Sequence, residues 1–98
     1  MTTPAHPGQI LAGKLAAIGV LPTELARQLH VPANRITQII KWQCGIKGDS
    51  ALRFAHWFSS APEFWMGRQA QHELHEAVRS SGRETRLLPR QTTQADAQ

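Results

Sequence analysis

Between Leu21 and Lys41 the chain reads LPTELARQLHVPANRITQIIK, two short apolar patterns of helical period separated by a link that leaves room only for a tight turn. Leu25, Ala26 and Leu29 fall at i, i+1 and i+4, which places a narrow apolar stripe on one side of a first helix. Pro22 suits its opening position, because a fixed helical φ and a missing N–H carry no penalty there. Ile36, Ile39 and Ile40 give a second helix its inward face, and Val31 in the link plugs the gap between the two. Ala26 keeps the crossing point small, which two steeply crossing helices joined by three or four residues require. The outward face of the second helix then carries Ala33, Asn34, Arg35, Thr37, Gln38 and Lys41, with Pro32 just before it.

That set matches the chemistry of a DNA major groove. Asn34 and Gln38 each present a donor beside an acceptor, the pattern that suits the N6/N7 edge of adenine; Ala33 can touch a thymine methyl. Arg35 and Lys41 are assigned to phosphates, which take most protein–DNA hydrogen bonds. Pro32, Ala33 and Asn34 enter the groove first in the docking geometry of a helix-turn-helix, with Arg35, Thr37 and Gln38 further along. Charge supports the assignment by its placement. The formal net charge is +4, and between Arg27 and Arg53 lie five basic residues (Arg27, Arg35, Lys41, Lys47, Arg53) against the one acid Asp49. This is the footprint of a phosphate-contacting surface. Lys47 and Arg53 flank the start of the next helix and are assigned to phosphate as well.

Along the rest of the chain the periodicity predicts only helices. Residues 1–5 read as a flexible leader. His6-Pro7-Gly8 opens a helix that carries Ile10, Leu11, Leu15 and Ile18 inward and stops at Gly19. After the helix-turn-helix and an irregular link from Trp42 to Gly48, Asp49 or Gly48 caps a helix with Ala51, Leu52, Ala55 and Phe58 at core spacing. Pro62 starts a last helix that runs to about Arg79 and carries Phe64, Trp65, Met66, Ala70, Leu74, Ala77 and Val78. Beyond Ser80 the composition turns to Arg, Gln, Thr and Pro, so residues 81–98 read as a disordered basic tail. The expected architecture is all-α, five helices in one domain spanning residues 6–80. Phe64, Trp65, Met66 and Leu74 are assigned to a dimer or partner surface, with the core as the competing place for the aromatic group.

Chemistry of other kinds finds little support. Cys44 is the sole cysteine, which excludes an intrachain disulfide and fits a reducing cytoplasm. No segment approaches the length of a membrane span. His72 and His75 are spaced i, i+3, but no further ligand completes a metal set. Glu73, Glu76 and Cys44 form no catalytic pairing, so no catalytic residue, metal or cofactor is assigned.

HPGQIL, ELARQLHVPANRITQII, DSALRFAHWF and PEFWM, in this order and with these gaps, resemble the HigA-type antitoxins within the lambda-repressor-like helix-turn-helix group. The resemblance spans His6 to about Val78. It implies a repressor-like all-α domain, a homodimer on a palindromic double-stranded DNA operator in its own promoter, and a partner toxin of the RelE, mRNA-cleaving type. Departures from that pattern fall at several positions, among them Cys44, near which a basic residue is usual. His30 and Trp42 stand where glycine is usual, and Gly67-Arg68 replaces an asparagine and an apolar residue. At Trp42, either Gly45 takes over the turn or the indole covers the motif from outside. A stand-alone regulator of phage or mobile-element origin and an interaction module without DNA binding remain open alternatives on the residues alone.

Overall fold

The computed structural model describes residues 5–91. Most of the expected leader and the last part of the expected tail lie outside them. Five helices follow one another: α1 Pro7–Ile18, α2 Pro22–Leu29, α3 Ala33–Ile40, α4 Gly48–Phe58 and α5 Pro62–Arg86. Their core is one cluster built from all five, including Leu11, Leu25, Ile36, Phe54 and Trp65.

The opening of α1 explains the HPG sequence in physical terms. His6 is the N-cap, its Nδ1 accepting a hydrogen bond from the Gly8 amide at 2.8 Å. Pro7 occupies the first helical position, and Gly8 lies against the backbone of α3, where any Cβ would collide with the Ile39 carbonyl oxygen. Gly19 ends the helix in a left-handed conformation, φ 71°.

α2 and α3 form the helix-turn-helix. His30 takes the left-handed position between them, φ 59° and ψ 44°, and the Val31 amide closes the turn on the Ala26 carbonyl at 3.1 Å. Ala26 is buried at the crossing, as its size requires. At the end of α3 it is Trp42 itself that turns left-handed, φ 64°, so Gly45 does not take over the turn. The Gln43 amide bonds back to the Gln38 carbonyl at 2.8 Å, and the Trp42 indole stacks on the His6 ring with centroids 4.8 Å apart. The outside-cover alternative therefore describes the structure.

Several sequence expectations are corrected. Ile18 on α1 and Leu52 on α4 are exposed, and on α4 it is Phe54 that enters the core. α4 begins at Gly48 with Lys47 as N-cap and no side-chain capping bond, so neither Asp49 nor Gly48 is the cap. α5 continues to Arg86, which makes residues 81–86 helical where the composition suggested a tail. Ser80 and Thr85 return their hydroxyls to the Glu76 and Ser81 carbonyls, at 3.0 and 2.7 Å, so these residues bond along the helix instead of breaking it. The distal half of α5 leaves the core behind: Leu74 is 67% exposed and Val78 63%.

Candidate nucleic-acid interface

On α3 the side chains of Asn34 and Gln38 lie one turn apart and exposed, with Pro32, Ala33 and Lys41 also at the surface. Arg35 and Thr37 are half-buried at the flanks of that face. Thr37 donates its hydroxyl proton to the Ala33 carbonyl at 3.2 Å. Its methyl and the two acceptor lone pairs of its oxygen remain available.

The basic residues separate into free and engaged groups. Arg35 donates from Nη1 to Asp49 Oδ2 at 3.0 Å, bringing the flank of α3 to the first turn of α4. Arg53 reaches the same carboxylate oxygen at 3.8 Å, while its Nε donates to the Leu29 carbonyl at 3.2 Å. The Arg35 hydrogen bond, aided by the Ser50 amide and both guanidinium charges, holds the Asp49 carboxyl below its ordinary range. Arg27 is turned along α2 onto Glu24, whose carboxyl is lowered to about 2 by hydrogen bonds from Arg27 and Gln28. Lys41 and Lys47 have no ion-pair partner among the described residues. Lys47 lines a shallow recess of about 260 Å³ together with Arg35, Cys44, Gly45, Asp49 and Ser50. Seven of the nine residues assigned to DNA thus lie on α3 or its caps, with Lys47 at the N-cap of α4 and Arg53 on α4 beside them.

The residues assigned to a partner surface divide. Trp65 is fully enclosed, with Phe54, Phe64 and Phe58 rings 5.2, 5.3 and 5.7 Å away. It is a core residue, which corrects its place in that set, and its indole N–H is buried without an acceptor. Phe64 is half-buried beneath the Lys14 and Arg68 cations. Met66 and Leu74 are at the surface.

His72 packs against the His6 ring in a T-shaped arrangement, 4.4 Å between centroids. Among the described residues no three of His, Cys, Asp and Glu gather as a metal site would require, and no single helix is long and apolar enough to cross a membrane.

No family model matches the chain. Virulence-associated protein I of Dichelobacter nodosus is 33% identical over 88 residues, 89% of this chain and 82% of that protein. An addiction module antidote protein of the HigA family from Coxiella burnetii superposes with a TM-score of 0.84 at 36% identity, covering 91% of this chain and all of that one. The chain belongs to the HigA antitoxin family. The Pseudomonas aeruginosa antitoxin HigA, solved with the higBA promoter, is similar at a TM-score of 0.87 and 32% identity, covering 92% of this chain and 99% of that one.

Set on this HigA fold, some residues of the site have no signal in the sequence. Asp49 looks like a generic first-turn acid; only the packing of α4 beside α3 shows it gathering two arginines. Gln28 accepts the Trp57 indole N–H at 2.8 Å and so ties α2 to α4. Gln69 on α5 accepts the Ile46 amide at 2.8 Å and donates to Glu73 at 2.8 Å, which fastens the link between α3 and α4. A polar residue at an inward register of α5 is the one hint the sequence offered for Gln69.

Proposed function

We propose that this HigA-family chain is a DNA-binding antitoxin that represses its own operon as a homodimer and neutralises an mRNA-cleaving toxin of the RelE type. The observation that carries the DNA part is the exposed face of α3: Asn34 and Gln38 one turn apart, flanked by Arg35 and Lys41, with Lys47 and Arg53 beside it. Support comes from the P. aeruginosa HigA solved with promoter DNA. In this reading Asn34 and Gln38 meet base edges, Pro32, Ala33 and Thr37 pack into the groove, and Arg35, Lys41, Lys47 and Arg53 face phosphates. The toxin partner rests on membership of an antitoxin family. The apolar side chains Phe64, Met66 and Leu74 on α5 are the surface proposed for the second copy or the toxin.

The test is a footprint on the DNA upstream of the chain's own gene. Protection by the unaltered protein, lost in the Asn34→Ala, Gln38→Ala double variant while the fold persists, is the expected result. Protection that survives both changes would remove α3 from the reading role. Copurification with the product of the adjacent gene tests the toxin part separately.

A further inference from the structure

The Asp49 carboxylate is an odd element in a surface meant for a polyanion. It stands at the first turn of α4, exposed, and a phosphate approaching Arg35 or Lys47 must come near its charge. An unattached carboxylate there would weaken every contact with DNA. Asp49 is attached: it accepts from Arg35 of the reading helix at 3.0 Å and lies 3.8 Å from Arg53, which in turn donates to the Leu29 carbonyl at the end of α2. Three helices of the site are joined through one oxygen atom and two guanidinium groups.

We propose that Asp49 is a positioning residue of the DNA interface, one that fixes the Arg35 guanidinium so that it meets its phosphate only when α3 is fully seated in the groove. The inference rests on the reading of α3 given above. One Nη1 hydrogen is committed to Asp49, which narrows the orientations open to the guanidinium and leaves its four other N–H donors for a phosphate. A side chain held in advance loses less freedom on binding than one that must be ordered by the contact. In a loose, sequence-independent complex the geometry is not met, and there the carboxylate only subtracts one unit of attraction. Asp49 therefore acts with opposite sign on the two complexes: it favours the seated one and disfavours the loose one. Discrimination is the quantity it controls, more than affinity.

The experiment measures the ratio of affinities for two duplexes, one enriched by the unaltered protein from a random library and one scrambled. Wild type, Asp49→Asn, Arg35→Ala and the double variant are compared, with Glu24→Gln as a control that removes a carboxylate from α2. Asp49→Asn should bind scrambled DNA more tightly and lower the ratio about 5-fold, the size of an ordinary coupling between touching residues. In the Arg35→Ala background the same change should leave the ratio unaltered. Glu24→Gln should leave it unaltered as well. Thermal unfolding followed by circular dichroism checks that each variant is folded at the assay temperature, and a lower midpoint alone does not move the ratio. If Asp49→Asn raises both affinities by one factor, or lowers the ratio equally without Arg35, the positioning role is overturned while the DNA reading stands. If the unaltered protein enriches no duplex, the DNA reading fails, and this inference fails with it.

Discussion

A Cβ at position 8 would run into the Ile39 carbonyl oxygen, a backbone atom with no room to retreat. Gly8→Ala is accordingly expected to destabilise the fold by about 1–3 kcal/mol, the range of overpacked core sites. Urea denaturation measures it, and a loss below a few tenths would show that α1 shifts freely. The neighbouring His6 carries a pH dependence. Burial is the larger cause and the facing charge of His72 on α5 the smaller; both push the His6 imidazole below its ordinary 6.5. Its other close neighbour, Trp42, bears no charge. In the folded state His6 is therefore neutral where the unfolded chain would already bind a proton. Stability is full above 6.5 and falls as the pH drops below that value. His6→Asn keeps a capping side chain that does not titrate there, so its denaturation midpoint should depend less steeply on pH between about 7 and 5.

At the scale of elements, legibility followed the source of each signal. Helix starts at Pro7, Pro22 and Pro62 were visible because proline constrains its own residue, and the stop at Gly19 because a left-handed residue favours glycine. His30 and Trp42 hold the same left-handed state without glycine. Their strain is borne by contacts that no local pattern reveals, such as the Trp42 stack on His6. α3 was recognisable whole, since its two faces differ in polarity. The Arg35–Asp49–Arg53 grouping was not, because it joins residues of two helices whose relative placement is a tertiary fact. α5 ran past its expected end because Ser80, Ser81 and Gly82 are weak helix formers but not breakers. Its distal half presents Leu74 and Val78 with Glu73 and Glu76 before Arg79, Arg83 and Arg86. Under the proposed homodimer, Leu74→Glu with Val78→Glu should turn the dimer into a monomer in sedimentation equilibrium. Operator affinity should then fall about 100-fold as the two half-sites lose their linkage. An unchanged dimer would move the interface elsewhere.

For the molecule as a whole, the balance of charge sets how it meets DNA. Arg27 is occupied by Glu24, Arg35 and Arg53 share Asp49, and Lys41 and Lys47 stand unpaired among the described residues. If these residues neutralise phosphates, affinity falls steeply with salt. The logarithm of the binding constant should drop by about 0.9 per phosphate contact for each unit in the logarithm of salt concentration. Lys41→Ala and Lys47→Ala should each lower that slope by about one contact. Filter-binding titrations at several salt concentrations give the slopes, and a slope indifferent to both lysines would place the phosphate contacts on other residues. In the dimer proposed, two copies of α3 would stand roughly 34 Å apart, one turn of duplex. Each copy of α3 is held from behind, partly through backbone: α1 rests against the Ile39 carbonyl at Gly8, and the α3 side chains that fill the core are the isoleucines. Side chains at 33, 34 and 38 take no part in that support. If they read the operator as proposed, they form an exchangeable set on a fixed mount, and replacing them changes the DNA that is read while the fold is kept.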